Sequence, residues 1–331
     1  VKPIYQKVLE NLDTCPALAL ATVTCTFGST PQKKWTSAVF NENGLLAGTI
    51  GGGVVENQVT EIVRKSLPAK RSGLYRFDLD KDIRLEEDAI CGGHMDILID
   101  ADPGIHRPVF EQLVKSLQQG IPGVLATRVA IKPDHPVYID RLWVARTDPG
   151  WSTEEPLQEG EDELVFLEHV FPAPHLVIAG AGHIGKALAH LGNLLDFEVT
   201  VIDDREEYAN SINIPDADHV VVGNIGQVME QVMKTTDTYV VILTRGHRDD
   251  ADALRACIGT GAAYIGMIGS LKKIALMREK FTGEGWATRQ QWEQIHAPVG
   301  LRIHSRSVQE IAISIAAELV QVRNNKNPSH G

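Results

Sequence analysis

The chain has 331 residues, 43% of them hydrophobic, and a formal net charge of −11 at pH 7. That length and composition support hydrophobic cores for two domains, with room for a small third. The acidic balance argues against nucleic acid or an anionic membrane surface as main partner, no apolar run approaches a membrane-spanning length, and no secretory signal is visible.

Ile4 to Leu12 reads as a short helix and Ala17 to Thr24 as a strand, followed by the loop FGSTPQKK. Ser37 to Phe40 and Leu45 to Thr49 read as a strand pair joined by the turn-like Asn41 to Gly44. Gly51, Gly52 and Gly53 follow, and then Val55, Val59, Ile62 and Val63 fall on one helical face. Tyr75 to Asp80 looks extended, charged residues 81–88 come next, and Met95 to Ile99 reads as a strand after Ile90-Cys91-Gly92-Gly93. Residues 106–119 carry the amphipathic pattern of a helix, and Val124 to Ile131 and Val137 to Val144 read as strands. Residues 148–163 hold seven acids and no Lys or Arg, the composition of a solvated linker.

After Pro172 and Pro174 the chain reads LVIAGAGHIGKALAHLGNLLDFEVTVIDD, residues 176–204. The order is strand, glycine turn (Gly180, Gly182, Gly185), helix, strand, acid (Asp203). This fits a dinucleotide-binding fingerprint: glycines admit a pyrophosphate to the backbone, the helix N-terminus favours its charge, and Asp203 is the candidate for a ribose hydroxyl pair. Val220 to Val222, Tyr239 to Thr244 and Tyr264 to Ile268 read as further strands. Residues 271–296 read as helical and charged. A last helix starts at Ser307 with Glu310 three residues on, a capping box. The tail from Asn324 is expected to fray. The boundaries expected are therefore 1–147, a linker and entry segment 148–174, a Rossmann-type unit 175–323 and a tail 324–331. The fold class is α/β, with a doubly wound parallel sheet in the second unit.

Four constellations could carry chemistry. GTIGGGVVE, residues 48–56, resembles an anion cradle at a helix N-terminus, or else a tight turn that needs positive φ. It lacks the Gly-Lys-Ser/Thr of a nucleoside triphosphatase loop. Cys91 before Gly92 and Gly93 is either a small core hydrophobe or a thiolate able to meet a soft metal or carry sulfur. Thr244-Arg-Gly-His247-Arg-Asp-Asp250 sits at the carboxyl edge of a strand, where His247 serves as acid/base, ligand contact or metal ligand unless the segment is only a helix start. Gly266 to Lys273, with Ser270, offers another anion-binding turn or a solvated helix face. His183 and His296 are single histidines, structural by default. Cys15, Cys25, Cys91 and Cys257 lie far apart, which suits a reducing cytoplasm and gives no zinc or disulfide signature. The first residue is Val1 rather than Met, so leading residues are expected to precede it.

Taken together, FGSTP, GTIGGGVVE, CGG, GAGHIG, VTVIDDREEYAN, TRGHRDD, YIGMIGS, HAPVGL and EIAISIAAEL make the chain resemble the XdhC/CoxI family of xanthine dehydrogenase accessory proteins. The pieces occur in family order and span almost the whole chain. The resemblance implies an N-terminal XdhC/CoxI domain and a C-terminal Rossmann domain. It implies a maturation chaperone that binds molybdenum cofactor, shields it during sulfuration by a cysteine desulfurase, and inserts it into an apo molybdenum hydroxylase. On that resemblance Cys91 contacts the molybdenum centre, and Gly51, Gly52, Gly53, Glu56, Gly92 and Gly93 belong to the same N-terminal site. Gly180, Gly182, His183, Gly185 and Asp203 belong to a Rossmann pocket that His247 faces and that Gly266 and Ser270 extend; NAD(P) or another nucleotide is the second ligand to consider. The two halves are expected to share one ligand, and a homodimer is left open. Two departures stand out: QKKWTSAV replaces a small Gly-Ala pair and a basic residue after FGSTP, and Ile303-His304-Ser305 stands where the family carries a glycine. The competing reading is an NAD(P)-dependent oxidoreductase using the Rossmann half; a scaffold regulated by nucleotide occupancy is the third. Molybdopterin or nicotinamide in the purified protein separates the first two.

Overall fold

A computed structural model describes residues 4–15, 17–79, 93–131, 137–147, 163–232 and 234–326. It divides into two compact units, Lys2–Pro172 and Ala173–Gly331.

The N-terminal unit begins with α1 (Ile4–Leu12), β1 (Ala19–Gly28) and a hairpin of β2 (Ser37–Asn41) and β3 (Gly44–Gly48). Then come α2 (Gly53–Ser66), β4 (Gly73–Asp78) and β5 (Gly93–Asp100). These strands form an antiparallel sheet in the order β3-β2-β1-β5-β4. Val55, Val59 and Val63 of α2 pack on Ala19, Ala21 and Val23 of β1 and Met95, Ile97 and Ile99 of β5, as the helical spacing of the valines requires.

The unit closes with α3 (Arg107–Gln118), β6 (Gly123–Ala130), β7 (Tyr138–Ala145) and β8 (Glu163–Val170), whose strands pair antiparallel as β7-β6-β8. Residues 163–170 were expected within the linker segment and instead form a strand that pairs with β6 along its length. The acidic run before it hid the signal: Leu164, Val165, Phe166 and Leu167 carry a strand composition of their own.

Polar side chains also pair inside this unit. Arg141 and Asp100 form an ion pair with side chains 3% and 2% exposed. Tyr5 of α1 donates its hydroxyl to Glu168 of β8. Burial lifts the Glu168 carboxyl to about 7, against the Tyr5 hydrogen bond and the Arg141 charge that pull it down. The folded state therefore holds this proton more tightly than the unfolded chain. The stability it contributes is complete below about 4.5, the ordinary glutamate value, and is lost as pH rises through about 7. Glu168→Gln should remove that slope. The check is the urea midpoint at pH 5 and pH 8: the wild type loses more between the two than the variant, and equal losses contradict the assignment.

The C-terminal unit contains β9 (His175–Ala179), α4 (His183–Leu194), β10 (Glu198–Asp203), β11 (His219–Val222), α5 (Ile225–Gln231) and β12 (Thr238–Ile242). It continues with α6 (His247–Cys257), β13 (Tyr264–Met267), α7 (Leu271–Gly283), the short α8 (Arg289–Glu293) and α9 (Val308–Lys326). All its strand pairs are parallel, in the order β11-β10-β9-β12-β13. Counted within the unit this is 3-2-1-4-5, the doubly wound arrangement expected. Leu188, Ile315 and Leu319 of α4 and α9 cover one face against Ile178, Val201 and Val241. Met229, Leu254 and Phe281 of α5, α6 and α7 cover the other against Val177, Ile202 and Ile242.

The expected helical stretch 271–296 breaks after Gly283, where Gly285 takes φ +71° before α8. The capping box at α9 is present: Glu310 N–H donates to Ser307 Oγ at 3.2 Å, and Ser307 N–H to Glu310 Oε2 at 3.1 Å. Helix α9 runs to Lys326, so residues 324–326 of the expected tail are helical, and 327–331 lie outside the described residues.

Candidate functional site

In the N-terminal unit the fold gathers three of the motifs at one end of the five-stranded sheet. Gly28 lies opposite Gly93, so FGSTP meets the end of CGG. A Cβ on Gly93 would stand 2.3 Å from the Phe27 carbonyl oxygen and 2.7 Å from that of Ser29. A Cβ on Gly51 would stand 2.8 Å from Pro31 Cγ, so the glycine turn packs on the same loop. Cys91 and Gly92 lie outside the described residues.

The turn itself needs glycine. Gly51, Gly52 and Gly53 take φ of +124°, +65° and +53°. Gly52, the N-cap of α2, combines φ +65° with ψ −172°, a region essentially restricted to glycine. The tight-turn reading therefore holds for the backbone, and the turn is also open. A Cβ at Gly52 or Gly53 would meet nothing within 4 Å. Among the described residues none accepts a hydrogen bond from the N–H of either glycine. Glu56 turns inward on the loop: Thr49 Oγ1 accepts from Gly51 N–H at 3.2 Å and donates to Glu56 Oε2 at 3.4 Å. Glu56 thus braces the turn through Thr49.

The loop after FGSTP carries one of the departures. Trp35 takes φ +74°, and near the other end of the chain His304 takes +60°. Both keep the left-handed backbone at stretches where the resembled family has glycine, at a cost of about 1–2 kcal/mol each.

In the C-terminal unit the strand order reverses between β9 and β12, and ligands of such sheets bind outside the carboxyl ends of those strands. Gly180 follows β9 with φ +122°, and a Cβ there would lie 2.6 Å from Leu243 O. A Cβ on Gly185 would lie 2.0 Å from Gly180 O. These two glycines serve close packing of turn, helix and strand. Gly182, the N-cap of α4, has open space, and His183 beside it is exposed. Gly182 is thus the position of the three where a ligand backbone contact has room.

Asp203 does something other than wait for a ribose. It is 2% exposed. Its carboxylate accepts from Ala181 N–H at 2.7 Å and from Arg205 N–H, Nε and Nη2 at 3.1, 2.8 and 2.9 Å. Burial pushes its pKa up, but the hydrogen bonds from Arg205 and Ala181 outweigh this and hold it below the usual value. Asp203 therefore pins the glycine turn to the end of β10. Its neighbour Asp204 is the exposed acid, 50% accessible, with Arg245 Nη2 at 3.7 Å.

His247 is the first residue of α6, exposed at the carboxyl edge as the sequence suggests. Behind it Thr244 Oγ1 donates to Asp250 at 2.6 Å, and Asp250, fully buried, pairs with Lys273 of α7. Lys273 is thus neither a free anion ligand nor a solvated residue; it ties α7 to α6. Ser270 caps α7, accepting from Lys273 N–H at 3.3 Å. Gly266 is a packing position: a Cβ would lie 2.5 Å from Val299. Gly266 thus serves close packing on Val299, and Ser270, exposed at the head of α7, serves its cap. His296 Nδ1 meets Glu318 Oε1 at 3.0 Å, and Glu318 also accepts from Gly300 N–H at 2.7 Å and from Tyr264.

Sequence reasoning overlooked Arg205, Asp204, Lys273 and Glu318 as organising residues. A carboxylate–arginine pair two residues apart was visible in Asp203-Asp-Arg205, but its direction was not. Of the described cysteines, Cys25 is exposed, Cys15 donates to Ala17 O at 3.2 Å, and burial pushes the Cys257 thiol up to about 12. No group of three or more His, Cys, Asp or Glu side chains suited to a metal ion occurs among the described residues, and none of their helices is long and apolar enough to cross a membrane.

An antiparallel unit with an open glycine turn, followed by a parallel 3-2-1-4-5 sheet with a second glycine turn, defines a two-unit protein with a Rossmann-type C-terminal half. The XdhC Rossmann domain model matches residues 176–319, and the XdhC and CoxI family model matches residues 16–78; the chain belongs to this family. It is 25% identical over 323 residues to the uncharacterized protein YqeB of Escherichia coli K12, covering 96% of this chain and 46% of that protein. The chain thus spans about half the length of that relative. It is 24% identical over 323 residues to a probable xanthine dehydrogenase subunit of Bacillus subtilis, covering 92% of each. Over 88 residues, 27% of each chain, it is 33% identical to the molybdenum cofactor insertion chaperone PaoD of Escherichia coli K12. A crystal structure of a xanthine dehydrogenase from Bacillus halodurans shares the fold, with TM-score 0.82 and 22% identity over 99% of this chain and 98% of that one.

Proposed function

We propose that the protein is a maturation factor that binds molybdenum cofactor in the cytoplasm and inserts it into an apo molybdenum hydroxylase of the xanthine dehydrogenase kind. The observation that carries this reading is the N-terminal glycine turn: Gly52 and Gly53 hold positive φ and leave open space. Two N–H groups at the head of α2, with the helix dipole behind them, suit the terminal phosphate of molybdopterin. The match to PaoD points to the same cargo. The cargo itself supplies a molybdenum–dithiolene centre. The chain's residues hold its phosphate at Gly52 and Gly53, and Cys91 offers a thiolate, a soft ligand matched to that centre. Sulfuration would draw on a cysteine desulfurase as a second partner. The open N-cap at Gly182 suits a nucleotide phosphate, either of NAD(P) or of a dinucleotide form of the cofactor.

Cys91→Ser tests the reading. The change is nearly isosteric, so the melting temperature should stay within a degree or two while retained cofactor falls several-fold. Wild type and variant are purified from the same cofactor-producing host and assayed for the fluorescent oxidised pterin. Equal content rules out a role for the thiol in holding the cargo.

A further inference from the structure

The open end of the N-terminal sheet has a feature that the glycine turn does not explain. In the pairing of β1 with β5, Val23 lies opposite Ile97, and Cys25 lies opposite Asp96. Thr24 is the extra residue, a bulge that reverses the facing of every later side chain on β1. Val23 and Ile97 sit in the core under α2. Past the bulge, Cys25 and Phe27 therefore share the other face of the sheet with Asp96 and His94. β4 adds Arg76 opposite Asp96 and Asp78 opposite His94.

On that face Phe27 is 69% exposed, and its ring stacks on His94 with centroids 5.3 Å apart and planes at 20°. In the next row Arg76 donates from Nε to Asp96 Oδ1 at 2.7 Å and from Nη2 to Oδ2 at 2.9 Å. The result is a flat aromatic ledge with a fixed acceptor–donor pair beside it. It stands at the sheet end where Gly28 meets Gly93 and where Pro31 meets Gly51. Bulges recur where a side chain must be re-aimed beside a binding site. Without this one, Phe27 would point to the face that α2 covers.

We propose that the ledge of Phe27 and His94, flanked by Asp96 and Arg76, receives the pterin ring of the cofactor whose phosphate is assigned to Gly52 and Gly53. The inference rests on that assignment of the cargo. The aminopyrimidinone ring of a pterin is flat and conjugated, and an exposed aromatic pair offers it a stacking surface. Its aminopyrimidinone edge presents adjacent N–H donors and a carbonyl acceptor. The carboxylate of Asp96 has lone pairs beyond those that face Arg76, and the guanidinium has N–H groups beyond those spent on Asp96, so both halves of the edge find a partner.

The test uses the full chain as wild type, Phe27→Ser, Asp96→Asn, and Phe171→Ser as a control at another exposed phenylalanine, 59% accessible. Each is titrated with 6-hydroxymethylpterin, followed by quenching of the pterin fluorescence. Each is also assayed for molybdopterin retained from a cofactor-producing host, with thermal melting as the check on folding. The expected result is at least tenfold weaker pterin binding for Phe27→Ser and Asp96→Asn at unchanged melting temperature, and wild-type binding for Phe171→Ser. If both ledge variants quench and retain molybdopterin like the wild type, the ledge is overturned and the cargo assignment stands. Ring binding by the wild type with no retained molybdopterin keeps the ledge and overturns the cargo assignment. A wild type that neither quenches nor retains molybdopterin overturns both.

Discussion

Asp203→Ala destabilises the C-terminal unit by about 3–5 kcal/mol, the range for breaking a buried charge pair by removing one partner. The change strands the Arg205 guanidinium, whose side chain is 15% exposed, and removes the acceptor of Ala181 N–H at the glycine turn. The turn between β9 and α4 then loses its tie to β10. Urea unfolding followed by far-UV circular dichroism measures the loss, and a shift below 1 kcal/mol contradicts the bracing role. The pH dependence has a defined sign. The folded-state pKa of Asp203 is depressed, so its stabilisation is present above the ordinary aspartate value of about 3.9 and disappears as pH falls through the lower folded value. The gap between wild type and variant should therefore close only in strong acid.

Gly52→Ala separates the two meanings of the N-terminal turn. At φ +65° and ψ −172° any side chain is strained, at a cost of about 1–3 kcal/mol. The added methyl meets no protein atom within 4 Å, so it stands in the open cradle. The expected outcome is a protein that still folds, with a lowered melting temperature, and retains less than a tenth of the wild-type molybdopterin. A variant with the strain but full cofactor retention shows that the glycines serve the turn alone.

The C-terminal unit was legible because each of its elements carries its own local signal. Leu176 to Ala179, the three glycines and the 3.6-residue stripe of α4 each specify a strand, a turn and a helix without help from distant residues. The same locality explains the capping box at Ser307. What escaped was whatever depends on a partner chosen by tertiary structure. Asp203 reads as a ribose ligand until Arg205 folds back on it. Lys273 reads as solvent-facing until Asp250 is found beneath it. The close packing of Val299 on Gly266 is likewise invisible until the chain folds.

The N-terminal unit was less transparent for two reasons. β8 follows directly on an acidic run, and charge composition masked its apolar centre. The bulge at Thr24 leaves no mark in composition at all, because one extra residue changes only which face the following side chains take. Phe27 consequently passed as part of a loop. The meeting of FGSTP with Gly93 likewise came from strand pairing between segments more than 60 residues apart, and its contact with Gly51 from loop packing, neither of which one sequence discloses.

The most direct test of the central claim is the content of the purified full chain. The protein is expressed in a host that makes molybdenum cofactor, isolated without oxidation, and then oxidised to release the fluorescent pterin. The account predicts molybdopterin approaching one equivalent per chain, transferable to an apo molybdenum hydroxylase with recovery of that enzyme's activity. A protein free of pterin that carries nicotinamide absorbance instead would contradict it and return the chain to the oxidoreductase reading.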